Sequence, residues 1–189
     1  IDLDPACRFP YEANNQARFV ERDVSKVTTK ELKALFGDAD LTILAGCAPC
    51  QPFSTYAQRY ELDGRDGKWG LLYEFARLAK GARPDVITME NVPTVVKHEV
   101  FHDFVDTLKR LGYKVWFDGV DSSHYGVPQM RRRMVLLASK HGDIEMIEPT
   151  HKKPRTVRQA IGRLRTLHAG ESAPRDKLHV TSTLSKKNL

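Results

Sequence analysis

The chain has 189 residues, 41% of them apolar, and carries a net charge of +6 at neutral pH. This length can bury one hydrophobic core and is too short for two domains of ordinary size, so we expect one globular unit. No apolar run approaches the ~18 residues of a membrane span, and the N-terminus lacks the character of a signal peptide, so we expect a soluble intracellular protein that contacts no membrane. Three cysteines, an odd number, argue against a disulfide framework.

The positive charge is concentrated near the C-terminal end of the chain. Residues 150–189 contain ten lysines and arginines against two acids, whereas residues 1–149 are slightly acidic. Basic segments of this kind commonly bind phosphate groups, because neutralising a polyanion releases its counterions. From charge alone, a solvated basic face without a partner is an equally good interpretation.

Short apolar runs alternate with stretches of helical period, and this alternation predicts an α/β fold with a mostly parallel sheet. The predicted strands cover 17–21, 41–45, 85–89, 114–120 and 134–139, and the predicted helices cover 28–36, 69–81 and 100–111. The first helix is expected to begin at a Thr28 or Thr29 cap with Glu31 in its first turn, and the other two to close at a glycine. Apolar residues at helical spacing predict the buried stripe of the second helix: Leu71, Leu72, Phe75, Leu78 and Ala79.

The stretch between Cys50 and Trp69 has no apolar period and contains several glycines. These features predict a surface loop. Loops beside strand ends often close over substrates, so we expect this one to lie next to a binding site.

Cys47 and Cys50 stand in a C-x-x-C spacing after the apolar run at 41–45. A redox pair needs this motif at the start of a helix, but Pro52 indicates a turn. A structural zinc site needs a second pair of ligands, and Cys7 stands alone, so we expect no metal. The remaining interpretation is a single nucleophilic thiolate at Cys50, at the carboxyl end of a strand where open α/β sheets bind ligands. Cys47 is then a small apolar residue that closes the strand.

Two further segments supply the polar groups that a nucleophile of this kind requires. Glu90 and Asn91 follow a second apolar run, again at the carboxyl end of a predicted strand. Gln129, Arg131 and Arg133 alternate into a third strand, so both arginines should project to the same side. Each residue taken singly is an ordinary strand end or a solvated edge. Together they suggest one site.

The chain contains, in order, the segments PCQPFS, ENV and QMRRR, which resemble the fourth, sixth and eighth motifs of the cytosine-5 DNA methyltransferases. The same chain contains IDLDPAC, RDV and GLLYEFARL, which resemble the second, third and fifth motifs, so the resemblance extends over about 1–140. The later segments TVRQAIGRL and LSKKNL resemble the start of the target-recognition region in bacterial enzymes of restriction-modification or orphan type.

This resemblance implies a Rossmann-like, S-adenosylmethionine-dependent methyltransferase sheet and methylation of carbon 5 of a flipped-out cytosine in double-stranded DNA. Carbon 5 is a poor nucleophile, and thiolate addition at carbon 6 makes it reactive. By resemblance, Cys50 forms the covalent adduct and Glu90 donates toward ring nitrogen 3. Arg133 would contact the base oxygen, and Arg131 would orient Glu90 or the closing loop. The resemblance assigns supporting roles to three more residues: Gln51, Asn91 and Gln129.

The methyl donor implied by the resemblance is S-adenosylmethionine, with no metal. Six positions match the donor-binding residues of the family: Asp2, Leu3, Asp23, Val24, Pro49 and Leu71. Asp2 corresponds to the acid that binds the ribose hydroxyls, and Asp23 to the residue that faces the adenine amino group. Leu3 would pack on the adenine, and Pro49 and Leu71 would form pocket walls.

The family's Gly-rich first motif and its ninth and tenth motifs have no counterpart in this sequence, so we expect a sheet that is incomplete at both ends. The expected division is a partial catalytic domain at 1–140, a linker at 141–155 and the start of a target-recognition region at 156–189. A second chain or further segments would then complete the donor pocket, and we expect the 189 residues alone to be inactive.

Two alternative functions stay open. One is a transfer-RNA cytosine-5 methyltransferase, which uses the same thiolate chemistry on RNA. The other is a catalytically idle DNA-binding or assembly partner that keeps the fold without turnover. We expect a bacterial member to be cytoplasmic and a eukaryotic member to be nuclear.

Overall fold

The structure is a computed structural model and describes residues 1–48 and 70–185. Its helices are α1 (Arg8–Asn15), α2 (Thr29–Phe36), α3 (Gly70–Ala82), α4 (Glu99–Arg110) and α5 (Val157–Ile161). Its strands are β1 (Ile43–Gly46), β2 (Val86–Asn91), β3 (Lys114–Asp121), β4 (Arg132–Ser139), β5 (Ser172–Ala173) and β6 (Asp176–Val180). Single 3-10 turns lie at Pro5–Cys7, Val24–Lys26, Pro93–Lys97 and Ser122–Tyr125.

The central sheet has four strands in the order β1-β2-β4-β3. β1 and β2 are parallel, whereas β4 runs antiparallel to both β2 and β3. The expectation of a mostly parallel sheet is therefore wrong for the described strands. A parallel pair needs a crossover connection, usually a helix, and the short segment between β3 and β4 contains only a 3-10 turn.

The main hydrophobic core lies between one face of this sheet and helices α3 and α4. Ile87 and Met89 of β2 and Leu136 of β4 are almost completely buried there. Phe75 of α3 and Phe104 of α4 meet above the sheet, with ring centroids 5.5 Å apart. Burial of these large side chains is the main stabilising contribution to the fold and holds α3 and α4 on the sheet.

Helix α3 packs through the predicted stripe, since Leu72, Phe75, Leu78 and Ala79 are all buried, whereas Leu71 is half-buried. Leu78 joins a second, smaller cluster in which α2 packs against α3. Four of the five predicted strands and all three predicted helices correspond to elements of the structure, with small shifts at their ends.

Helix α2 begins at the predicted cap. Thr28 Oγ1 accepts a hydrogen bond from the Glu31 backbone N–H at 3.1 Å, and Glu31 Oε2 accepts one from the Thr28 backbone N–H at 2.7 Å. This reciprocal pair satisfies two of the donors that the first turn of a helix leaves open. Gly112 after α4 adopts a φ of 88°, which confirms the predicted glycine stop of that helix.

Two parts of the N-terminal segment differ from the prediction. The strand expected at 17–21 is only a single parallel bridge between Asp2 and Glu21, because the pairing is limited to two backbone hydrogen bonds on either side of Asp2. Helix α1 was not predicted. It contains Pro10 in its first turn, a position where the missing N–H costs little, and it buries none of its residues.

Residues 141–155 contain no regular helix or strand, and they run beside the 3-10 turn at Ser122–Tyr125. Tyr125 Oη donates to the Ile147 carbonyl at 2.9 Å, and the His151 N–H donates to the His124 carbonyl at 3.0 Å. Beyond them, α5 and the β5–β6 hairpin are mostly exposed. Within the described residues, no helix is long and apolar enough to span a membrane.

Candidate active site

The parallel register of β1 and β2 brings two distant segments of the chain together at the carboxyl edge of the sheet. Gly46 pairs with Met89, so the next residues along each strand, Cys47 and Glu90, lie side by side. The carboxyl ends of parallel strands are where open α/β sheets bind ligands. This edge of the sheet is therefore the candidate binding site.

Glu90 is held from two directions. Its Oε1 forms an ion pair with Arg133 Nε at 2.8 Å, and its Oε2 accepts a hydrogen bond from Cys47 Sγ at 2.9 Å. Arg133 reaches Glu90 because β4 is antiparallel to β2: Glu90 pairs with Val135, and Arg133 lies two residues away on the same face. The side chain of Glu90 is 37% exposed, so it remains accessible to a ligand.

Asn91 holds the backbone that leads toward Cys50. Its side chain is 1% exposed, and its Nδ2 donates to the Ala48 carbonyl at 3.0 Å. Its Oδ1 accepts from the Val92 N–H at 2.8 Å. A buried amide that is satisfied at both ends is expensive to disturb, so Asn91 fixes the position of Ala48, two residues before Cys50.

The remaining residues of the QMRRR segment lie before β4 begins. Arg131 is exposed, and its carbonyl accepts from the Ser122 N–H at 3.0 Å. The Gln129 carbonyl accepts from Ser122 Oγ at 3.0 Å, so this turn shapes the approach to β4. β4 starts at Arg132, so Arg131 leads into the strand and Arg133 lies within it, and the projection of both arginines to the same side stays a prediction. Arg133 makes the ion pair to Glu90, whereas the resemblance suggests that Arg131 orients either Glu90 or the closing loop.

A second group of polar residues is assembled where the N-terminal segment meets 20–24. The Asp2 N–H donates to the Val20 carbonyl at 3.1 Å, and the Arg22 N–H donates to the Asp2 carbonyl at 3.0 Å. Asp2 and Asp23, far apart in sequence, therefore lie on adjacent stretches of backbone. The Asp2 carboxylate is exposed and also accepts from the Asp4 N–H at 2.9 Å.

Asp23 caps the 3-10 turn at Val24–Lys26. Its Oδ1 accepts from Ser25 Oγ at 2.7 Å and from the Ser25 N–H at 2.9 Å, and these two hydrogen bonds lower the pKa of the carboxyl below its ordinary value. Asp23 therefore stays ionised at neutral pH, and its Oδ2 can accept a hydrogen bond from a ligand amino group.

Arg77 of α3 connects this turn to the core. One of its guanidinium nitrogens, Nη2, donates to the Val27 carbonyl at 2.9 Å and to the Val24 carbonyl at 3.4 Å. Leu71 lies in the first turn of the same helix, so Arg77 fixes Val24 with respect to the helix that carries Leu71. Leu3 is 66% exposed. The contribution of Arg77 was not predicted from the sequence.

Three predicted site residues lie outside the described residues: Pro49, Cys50 and Gln51. The predicted loop between Cys50 and Trp69 also lies outside them, as do the last four residues of the LSKKNL segment. In the parts of the chain that are described, no group of three or more His, Cys, Asp or Glu side chains could hold a metal ion.

Cys47 differs most from its prediction. β1 ends at Gly46, so Cys47 does not close the strand, and it is an exposed thiol in contact with the Glu90 carboxylate. The sequence did contain a signal for this contact, since Cys47 and Glu90 each follow an apolar run of similar length. Only the pairing register turns that similarity into a contact.

Comparison with known proteins agrees with the motifs that line this edge. A family model described as C-5 cytosine-specific DNA methylase matches residues 1–188. The chain belongs to this family. The Type II methylase M.HgiDII of Herpetosiphon aurantiacus is 46% identical over 195 residues, which cover 100% of this chain and 54% of that relative. The Type II methyltransferase M1.HphI of Haemophilus parahaemolyticus is 29% identical over 178 residues, 92% of this chain and 48% of that relative. The chain thus spans about half the length of these methylases.

Solved structures agree on the fold of this member of the C-5 cytosine-specific DNA methylase family. A DNA modification methyltransferase encoded within a prophage of E. coli superposes with a TM-score of 0.70 at 23% identity, covering 89% of this chain and 48% of that chain. The S. pombe Dnmt2 methyltransferase superposes with a TM-score of 0.58 at 20% identity, covering 77% of this chain and 42% of that chain. The predictions of a Rossmann-like α/β methyltransferase fold and of a bacterial-type family member are confirmed.

Proposed function

We propose that this chain carries the catalytic residues of an enzyme that transfers a methyl group to carbon 5 of cytosine in double-stranded DNA. The observation that carries the proposal is the position of Glu90. Its carboxylate lies exposed at the carboxyl edge of β2, held by Arg133, beside the backbone that leads into Cys50. This arrangement occurs in a chain that matches the cytosine-5 methylase model over residues 1–188.

The chemistry requires a nucleophile and a polar partner on the same face of the base. The thiolate of Cys50 adds to carbon 6, and the electron pair of the ring double bond moves to carbon 5. Carbon 5 then attacks the methyl group, whose bond to the donor sulfur breaks. A base then removes the carbon-5 proton, the C–H electron pair restores the C5–C6 double bond, and the bond from carbon 6 to Cys50 breaks to release the thiolate. The base must leave the duplex to reach Cys50, which costs a few kcal/mol.

Glu90 would act on ring nitrogen 3 during this addition. A hydrogen bond or a proton donated there by the protonated carboxyl lets the ring accept the electron pair, so the carboxyl must hold a proton and face the bound base in one orientation. Arg133 supports this orientation through its ion pair with Oε1. Its guanidinium also has further donors that could reach the exocyclic oxygen of the base.

S-adenosylmethionine, when bound, supplies the methyl group as a positively charged sulfonium. The residues of this chain that fit the donor are the exposed Asp2 carboxylate, suited to ribose hydroxyls, and the ionised Asp23, suited to the adenine amino group. Both lie on adjacent backbone that Arg77 ties to α3. Leu3, Val24, Pro49 and Leu71 would supply apolar contacts around the adenine.

Covalent trapping on DNA that contains 5-fluorocytosine tests the proposal. Fluorine replaces the proton whose loss releases the enzyme, so a productive attack leaves a covalent complex that survives a denaturing gel. We expect the protein, as its gene encodes it, to form this complex with duplex DNA and S-adenosylmethionine, and the Cys50→Ala variant to form none. Cys7→Ala is the matched control, because it removes a thiol that is outside the site and should leave the complex intact.

Three outcomes of this experiment are informative. A complex with duplex DNA that requires Cys50 supports the proposal. A complex formed only with 5-fluorocytosine RNA would contradict the DNA substrate and favour the RNA-methylating alternative. The absence of a complex with both nucleic acids, from folded protein, would contradict methyl transfer and favour a catalytically idle DNA-binding partner.

A further inference from the structure

Both oxygens of the Glu90 carboxylate are occupied by donors from different elements. Arg133 Nε, from β4, binds Oε1 at 2.8 Å, and Cys47 Sγ, from the segment that follows β1, binds Oε2 at 2.9 Å. The second contact is unusual, because a thiol is a weak hydrogen-bond donor and this carboxylate is already paired with an arginine. The proposed reaction assigns no role to this thiol.

The last torsion of a glutamate side chain has a broad, almost flat profile. A carboxylate held through one oxygen can therefore rotate about that contact, whereas a carboxylate held through both oxygens has a defined plane. Because Glu90 is 37% exposed, packing alone does not determine this plane. The hydrogen bond from Cys47 supplies the second fixed point.

We propose that Cys47 is a positioning residue that sets the plane of the Glu90 carboxylate toward the bound cytosine, an inference that rests on the proposed function. Cys47 touches no reacting atom in this scheme. It acts through Glu90, and it does so from the segment that leads to Cys50.

A pair of substitutions at Cys47 separates the hydrogen bond from the volume of the side chain. Cys47→Ala removes the donor, and we expect the single-turnover rate of methyl transfer to fall by about threefold to tenfold, the range for loss of one ordinary hydrogen bond. Cys47→Ser restores a donor of similar size and should return the rate to within about twofold of the parent. KM for DNA and the thermal midpoint should stay unchanged, because the interaction orients Glu90 rather than binding substrate. Cys7→Ala is again the matched control.

A double-mutant cycle separates positioning of Glu90 from a general disturbance of the Cys50 segment. In a Glu90→Gln background, Cys47→Ala should cause no further loss of rate, since the group that Cys47 orients has already been changed. If Cys47 simply shaped the segment before Cys50, the two losses would multiply. Multiplicative losses, or a Cys47→Ser variant as slow as Cys47→Ala, would overturn the inference.

Thiol reactivity tests the same contact without turnover. A carboxylate that accepts a hydrogen bond from the S–H group, and whose negative charge lies beside the sulfur, disfavours the thiolate, so iodoacetamide should modify Cys47 slowly. In a Cys50→Ala background, we expect Glu90→Gln to raise the rate at which iodoacetamide modifies Cys47 by about threefold or more. The modification rate of Cys7 in the same sample is the control and should stay constant. Equal rates at Cys47 would overturn the inference. The two proposals can fail separately. If covalent trapping fails but Glu90→Gln still speeds the modification of Cys47, the proposed function is contradicted and the contact between Cys47 and Glu90 is not.

Discussion

At the scale of single residues, the ion pair between Arg133 and Glu90 is the interaction with the clearest consequence for activity. Arg133 is 23% exposed and Glu90 37% exposed, so water screens the pair and its contribution to folding stability is at most about 1 kcal/mol. The ion pair matters mainly because it orients Glu90: an arginine holds a carboxylate in a defined direction, which a flexible lysine cannot reproduce.

We predict that Arg133→Lys lowers the rate of methyl transfer by about tenfold to a hundredfold, since small misplacements of a catalytic group have effects of that size. Thermal melting should change little. Arg131→Lys is the matched comparison: Arg131 is exposed and precedes β4, so its loss of rate should be smaller. Single-turnover kinetics of both variants measure the difference, and a larger effect at Arg131 would contradict the role that we assign to Arg133.

At the scale of elements, the contact between β1 and α3 places the start of the Cys50 segment. A Cβ added to Gly46 would lie 2.5 Å from Phe75 Cε2, closer than two such atoms can approach. Phe75 is 8% exposed and packs against Phe104, so its ring has little room to move. Glycine at the end of β1 therefore lets α3 approach the sheet closely.

We predict that Gly46→Ala destabilises the protein by about 1–3 kcal/mol, the usual cost of overpacking a core. Urea unfolding measures this loss, and Phe75→Leu should recover part of it in the double variant. Gly70→Ala, at the first residue of α3 with no atom within 4 Å of the added methyl group, is the control and should be close to neutral. Equal effects at the two glycines would contradict the close approach.

At the scale of the whole molecule, Asp85 connects three segments of the chain at the edge of the sheet opposite the candidate site. Its Oδ2 accepts from the Thr42 N–H at 2.9 Å and from Thr42 Oγ1 at 2.7 Å, and its Oδ1 lies 3.1 Å from His141 Nε2. The hydrogen bonds from Thr42 and the contact with His141 lower the pKa of Asp85 from an ordinary value near 3.8 to about 2. One carboxylate thus joins the start of β1, the start of β2 and the residues after β4.

This pKa has a definite consequence for stability against pH. A carboxyl with a lower pKa in the folded state stabilises the fold above its unfolded pKa and loses that contribution as pH falls toward the folded value. We predict that Asp85→Asn lowers the thermal midpoint at pH 6–7 and that the difference from the parent shrinks between about pH 4 and pH 2. Asp38→Asn, which removes an exposed charge in the turn after α2, is the control. A difference that stays constant down to pH 2 would contradict this account.

Local sequence patterns predicted much of the fold and part of the site. Capping at Thr28, the stripe on α3 and the polar residues at the ends of apolar runs are properties of neighbours in sequence, so they can be recognised without a structure. The predictions that Glu90, Asn91 and Arg133 belong to one site were made in this way. The antiparallel placement of β4 was not predicted, because the order and direction of strands depend on pairing between distant segments.

The sequence by itself determined the class of fold and the family, because motifs and periodicity are local records of chemistry and burial. Only the tertiary structure decided that Arg133 rather than Arg131 binds Glu90, and that Cys47 is a hydrogen-bond donor to the same carboxylate. Both facts follow from strand register: a shift by one residue would turn each of these side chains to the opposite face of the sheet.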